Sequence, residues 1–303
     1  MAGYSDAAFR SVCVLHGASL CFTEMVSADA LSRGNRTTLR LLERATNEVL
    51  TGFQIFGSSA AMAEEAVRRI APMSPAIIDL NCGCSVPKVL KADCGAALLR
   101  SPALIGAMVA AMKAETDIPL SVKLRSGWDA SSLNYQACAE AAITAGASMV
   151  TLHPRSRAQG FSGKAQWEHI RILKEGCPVP VFGSGALFTA EDCEAMLTRT
   201  GCDGVMLARG CLGNPFLFAE AETLLSGGAV HHHIDERVKL DTAMRHLRAL
   251  ALSVGEEKAC RDMRKHFVAY TKGLPGGAIL RQSVVSAETV AEYEDIVESY
   301  FRD

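Results

Sequence analysis

The sequence predicts a parallel α/β fold of the (β/α)8, TIM-barrel type, followed by a small helical domain. Two observations point there. Short apolar, β-branched runs alternate with alanine-rich or amphipathic segments up to about residue 228, the pattern of a parallel sheet covered by helices. Polar and glycine-containing clusters follow those runs, where a barrel collects its functional loops.

The elements read in order as follows. Ala7–Leu15 is helical and has no strand before it. Strands are expected at Cys21–Met25, Val49–Phe56, Ala76–Asn81, Leu120–Arg125, Met149–His153, Val179–Gly183 and Gly204–Ala208; buried parallel strands show such near-continuous apolar runs. Between them, Ser59–Ile70 stops before Pro72. Ser101-Pro102 pairs an N-cap with a proline at the first helical position and opens a helix to Glu115. Ser131–Ala145 ends at Gly146, and Thr189 caps a helix that Gly201 follows. These runs leave a closed barrel one strand short, so the first strand is expected ahead of Met1, with this chain starting late. Ser226-Gly227-Gly228 and His231-His232-His233 read as a linker. Only helices are expected beyond it, at Glu236–Ser253, Glu257–Lys272, Ala278–Val284 and Ala287–Phe301. The domains are thus 1–228 and 234–303.

Composition limits the function classes. With 49% hydrophobic and 21% charged residues and a net charge of −2, the chain reads as globular. A disordered chain and a broad, non-specific nucleic-acid binder are both excluded. No apolar run approaches the roughly 18 residues of a membrane span, and Met1–Asp6 does not open a signal peptide. A cytoplasmic protein is expected, with no membrane contact and no obligate protein partner. Its 11 cysteines form no CxxC pair and read as reduced thiols. No metal site is expected from Cys82 and Cys84 or from the three consecutive histidines, because neither set supplies a full coordination shell.

Candidate site residues lie at the strand ends. Gln54, Asn81, Cys84, Lys123, His153, Arg155 and Arg157 occupy successive ends. Lys123 sits within an apolar strand, where a cation is costly unless it faces an anion. Cys84, in a polar loop, has the position of an acid or a nucleophile. Ser184-Gly185 and Ala208-Arg209 open the last two loops, the usual phosphate site of this architecture. In the helical segment, Arg261, Arg264 and Lys265 are spaced to share one face, and basic residues outnumber acids between Gly255 and Arg281.

Together these stretches resemble the tRNA-dihydrouridine synthases, of the bacterial nitrogen-regulation-like branch. Met1-Ala2-Gly3-Tyr4-Ser5-Asp6 resembles the end of that family's opening motif. Asp79-Leu80-Asn81-Cys82-Gly83-Cys84 resembles its cysteine loop, and Lys123-Leu124-Arg125-Ser126-Gly127-Trp128 its next strand end. His153-Pro154-Arg155-Ser156-Arg157, Gly163–Trp167 and Met206–Pro215 follow in the family's order. The resemblance implies FMN across the barrel mouth, with Met1, Ala2 and Gly3 beneath it. It places the flavin phosphate on Ser184, Gly185, Ala186, Ala208 and Arg209, the ring edge on Gln54, and Lys123 and His153 beside the ring. NADPH, or NADH, is the implied reductant. Cys84 is the implied general acid, Asn81, Arg155 and Arg157 contact substrate, and Arg261, Arg264 and Lys265 hold tRNA. Three positions depart from the pattern: Ser85 stands where the family has proline, Ser184-Gly185-Ala186 replaces Asn-Gly-Asp, and Ala208 precedes Arg209 in place of glycine. The competing readings are an FMN barrel acting on a free pyrimidine, a phosphate-sugar barrel enzyme, and a tRNA-binding protein without catalysis.

Overall fold

The structure is a computed structural model and describes residues 1–230 and 233–302. His231 and His232 of the expected linker therefore lie outside the described residues.

Eight strands form one parallel sheet: β1 (Cys21–Phe22), β2 (Val26–Ser27), β3 (Thr51–Phe56), β4 (Ile77–Cys82), β5 (Leu120–Arg125), β6 (Met149–His153), β7 (Val181–Ser184) and β8 (Gly204–Met206). Both β1 and β2 pair with β3, so the sheet has the seven positions counted in the sequence. The expected Cys21–Met25 strand is split. The cause is Thr23, whose Oγ1 accepts the Gln54 N–H at 3.2 Å in place of a backbone carbonyl. Among the described residues no ladder joins β8 to β1, so the barrel is an open, curled arc.

Side-chain alternation assigns the two faces of the sheet. Ile78, Leu80 and Cys82, then Val122 and Leu124, then Val150 and Leu152, are fully buried in the cluster that packs the outer helices. The alternate residues, Asp79 and Asn81, Ser121 and Lys123, Thr151 and His153, stand on the inner face. Register brings Asn81, Lys123 and Thr151 level across three strands. An apolar outer face and a polar inner one are what a barrel enzyme requires.

Most helices start on side-chain caps. Ser59, Ser101 and Thr189 each accept an N–H from the first turn, and Thr189 completes a capping box with Asp192. The predicted helix at Ser131 begins only at Tyr135, because Asp129 Oδ1 collects the Ser131 N–H and the hydroxyls of Ser131 and Ser132 in a turn. Two helices not singled out in the sequence, Glu168–Gly176 and Leu217–Leu225, complete the outer layer.

The C-terminal region is helical throughout: Glu236–Val254, Glu256–Tyr270, Gly277–Ser283 and Val290–Tyr300. Its own cluster includes Leu247, Met263, Phe267, Tyr270 and Tyr293, and takes in Ala8 from the helix Ala7–Leu15. That first helix also carries Arg10, whose buried guanidinium pairs with Glu48 at 2.6 Å and donates to the carbonyls of Ser5 and Glu43. The pair locks the N-terminal turn against the segment preceding β3.

Candidate active site

The inner face at the C-terminal ends of β3, β4 and β5 holds one hydrogen-bonded network. Gln54 Nε2 donates to Asp79 Oδ2 at 2.8 Å, and Ser121 Oγ donates to Asp79 Oδ1 at 2.6 Å. Asn81 Nδ2 donates to Gln54 Oε1 at 2.8 Å. Asn81 Oδ1 accepts the N–H groups of Gly83 at 3.1 Å and Cys84 at 2.9 Å. Every polar group of Asn81 is thus engaged, and it fixes the loop on which the half-buried Cys84 stands. Cys82 is different: fully buried on the outer face, its thiol is pushed well above the ordinary range by burial.

Asp79 and Lys123 form the charged centre. Burial raises the Asp79 carboxyl to about 6, against the opposing pull of Ser121, Gln54 and Lys123. Burial lowers the Lys123 ammonium to about 8, and the Asp79 charge only partly restores it. Desolvation outweighs pairing for both.

The next loop presents His153 in its neutral form. Burial and the charges of Lys123, Arg125, Arg155 and Arg209 push it down to about 2. Arg155 Nη1, a donor only, lies 3.2 Å from His153 Nε2. The ring proton is therefore on Nδ1. Arg155 Nε and Nη2 both donate to the Gly163 carbonyl and the residue is 4% exposed, so it holds the loop. Arg125 is a second brace: its Nε donates to the Gly83 carbonyl at 2.8 Å and its Nη1 to the carbonyls of Ser156 and Gly160. One guanidinium thereby ties the Cys84 loop to the His153 loop.

The last two loops close the arc. Gly185 adopts φ +105°, and a Cβ there would stand 2.5 Å from His153 Cδ2, so only glycine fits. Ala186 follows at φ +60°, and the Gly185 carbonyl accepts from Trp167 Nε1 at 3.1 Å. Ser184 is buried at the end of β7, Ala208 is half-buried, and Arg209 is exposed beside the Phe161 ring, 4.5 Å from its centroid. Met1, Ala2 and Gly3 form a turn pinned by the Gly3 N–H to Glu24 Oε2 at 2.8 Å. Trp128 lies between two guanidinium groups, with Arg100 at 3.4 Å and Arg157 at 3.5 Å from its ring centroid.

The three cations expected on one helical face separate. Arg261 is exposed and paired with Glu257 at 2.8 Å. Arg264 is half-buried and its charge acts on Tyr293. Lys265 stands 5.5 Å from the Tyr4 ring centroid. The structure groups Lys265 instead with Lys272 and Arg281, around a groove of about 480 Å³ that Tyr4 and Val268 also line. Asp79, Ser121, Arg125 and Trp167 were not assigned site roles from the sequence. The available signal for the first three was an ionisable or hydroxyl residue at alternate positions of an otherwise apolar strand.

Comparison with known proteins identifies the family. A family model described as dihydrouridine synthase matches residues 1–303. The probable tRNA-dihydrouridine synthase of Treponema pallidum is 43% identical, covering 98% of this chain and 90% of its own length. The tRNA-dihydrouridine synthase B of Pasteurella multocida is 30% identical over 99% of this chain and 91% of its own. Among solved structures, histamine dehydrogenase from Rhizobium sp. 4-9 superposes with a TM-score of 0.54 at 13% identity, covering 82% of this chain and 46% of that one. The amine oxidase HisD from Pseudomonas geniculata N1 gives 0.53, also at 13%, over 75% of this chain and 45% of that one. At that identity these two speak for the barrel fold alone. With the match running the whole chain, this protein belongs to the dihydrouridine synthase family.

Proposed function

We propose that the chain is a tRNA-dihydrouridine synthase that reduces the C5=C6 bond of a uridine in tRNA, with FMN as cofactor and NADPH as reductant. The observation that carries this is the Gln54–Asp79–Asn81–Lys123 network. It places one buried cation, one amide edge and one loop thiol together on the inner face of the barrel.

The residues suit a flavin. Lys123 offers a desolvated positive charge for a ring that becomes electron-rich, and Gln54 an amide for its edge. The left-handed backbone at Gly185 and Ala186 turns the loop after β7 where a phosphate would lie, with Arg209 adding charge. When bound, the flavin supplies hydride to C6 of the uracil. Cys84 supplies the proton at C5 and regains it from solvent. Asn81 holds the Cys84 loop in register. Neutral His153, with its proton on Nδ1, donates towards flavin or substrate from a position that Arg155 fixes.

The reacting base must leave the tRNA stack to reach the mouth. We assign phosphate contacts to the Lys265, Lys272 and Arg281 groove and to the Arg100–Trp128–Arg157 stack. Residues 1–228 would then carry catalysis and 234–303 would hold tRNA.

The test is the visible spectrum of the purified chain, followed by nucleoside analysis of tRNA incubated with NADPH. Released FMN and newly formed dihydrouridine support the reading. Turnover of a free pyrimidine but not of tRNA, or tight tRNA binding by a colourless protein, would replace it.

A further inference from the structure

We propose a second site, for a divalent transition cation of the zinc type, built from Asp6, His246 and His266. It lies outside the catalytic network, where the N-terminal turn meets the helices Glu236–Val254 and Glu256–Tyr270.

Both histidines are fully buried, at 0% exposure. His246 Nε2 and both ring nitrogens of His266 have no hydrogen-bond partner. Buried nitrogens in that state are costly, and the two Nε2 atoms, one from each ring, are placed to share a ligand beside Asp6. His246 Nε2 stands 3.9 Å from Asp6 Oδ1, and His266 Nε2 stands 3.9 Å from Asp6 Oδ2. These gaps are too long for hydrogen bonds and suit ligands facing one ion. One donor atom from each residue lies within 4.8 Å of the others. Zinc bonds imidazole nitrogen and carboxylate oxygen at about 2.0–2.2 Å, so the three side chains would draw together on one ion.

The chemistry of the surroundings agrees. Asp6 Oδ1 already accepts the Phe9 N–H at 2.9 Å as the helix N-cap, leaving Oδ2 for the ion. His246 Nδ1 lies 3.5 Å from the Tyr270 hydroxyl; with the ring proton donated there, the Nε2 lone pair is left for the ion, as metal-bound histidines are oriented. Tyr4 and Phe9 pack edge-on and tilted against His266, both at 5.3 Å between ring centroids. Asp6 is the one partly exposed member of the set. Two imidazoles and one carboxylate select zinc and its first-row neighbours over magnesium or calcium. The ion would clamp the Met1–Asp6 turn to the helical region.

The test uses the full chain, stripped with a chelator and then equilibrated with Zn²⁺ or Co²⁺. Metal content, X-ray absorption and the melting temperature are read. The expected result is about one equivalent bound, only nitrogen and oxygen donors, and a melting temperature raised by metal. Binding should be lost in His266→Gln and weakened in Asp6→Asn, which preserves the helix cap. No binding, unchanged stoichiometry in His266→Gln, or sulfur donors from the buried cysteines would overturn the site. If the variants fail to fold, the donor set seen in the wild-type chain decides the question by itself.

Discussion

Replacing Asn81 by alanine should loosen the Cys84 loop, and the hydrogen bonds set the size of the effect. Asn81 Oδ1 accepts two backbone N–H groups, from Gly83 and Cys84, and its Nδ2 donates to Gln54. Each N–H left without an acceptor costs about 1–3 kcal/mol when dry. Gly83 and Cys84 are half-buried, so water recovers part of that, and about 2 kcal/mol in total should fall on the loop. At about 1.4 kcal/mol per tenfold, a loss of that size slows turnover about thirtyfold. The assay pairs dihydrouridine formation with the alkylation rate of Cys84, followed at that residue by peptide mapping. Asn81→Ala should react faster with the alkylating agent and turn over more slowly. Asn81→Asp separates the two halves of the network. Its carboxylate keeps both N–H acceptors but sets oxygen against Gln54 Oε1, and Gln54 cannot turn over without facing that oxygen to Asp79. Cys84 alkylation should stay close to wild type while flavin retention falls. Wild-type alkylation and wild-type turnover in Asn81→Ala would refute the positioning argument.

Other perturbations test the scaffold around the site. Arg10→Met strands Glu48 as a buried carboxylate and should lower urea-unfolding stability by about 3–5 kcal/mol, with much of the loss recovered in the Arg10→Met/Glu48→Leu double variant. Lys123 is held at about 8 in the folded chain against 10.5 unfolded. The unfolded state binds more protons between those values, so stability rises with pH across that window by about 3 kcal/mol from this group. Lys123→Met should lack that rise when its unfolding midpoint is compared with wild type from pH 8 upwards. Asp79 has the opposite slope: at about 6 folded against 3.8, it retains its proton longer in the native state. Stability from this group is greatest below its unfolded value and is lost as pH rises through 6; Asp79→Asn should remove that fall. Ala186→Gly relieves a φ of +60° and should hold or raise stability by about 1 kcal/mol in the same titration.

The sequence made the frame legible where one face of an element is wholly apolar. Leu120–Arg125 and Met149–His153 were readable to the residue, because every second position there is buried against the outer helices. Boundaries moved where a side chain competes with the backbone. Thr23 interrupts a strand by taking the Gln54 N–H, and Asp129 delays a helix by gathering the Ser131 and Ser132 hydroxyls. Cys84, Lys123 and Gln54 could be picked out as polar residues at strand ends. Their wiring could not, because Asp79 and Arg125 act on partners from other strands and loops. The spread of Arg261, Arg264 and Lys265 was illegible for a related reason. Helical spacing fixes a direction, but Glu257, Tyr293 and Tyr4 decide what each cation meets. Asp6, His246 and His266 lie too far apart in the chain for any spacing rule to join them.

The central claim is that Cys84 delivers the proton to a tRNA uridine reduced at this site. The most direct test compares dihydrouridine formed in tRNA by the wild-type chain and by Cys84→Ala at equal flavin content. A positioned general acid contributes about 10²–10⁴-fold. The variant should therefore bind flavin and tRNA normally and lose at least about a hundredfold in rate. A Cys84→Ala chain that reduces tRNA as fast as wild type would contradict the account.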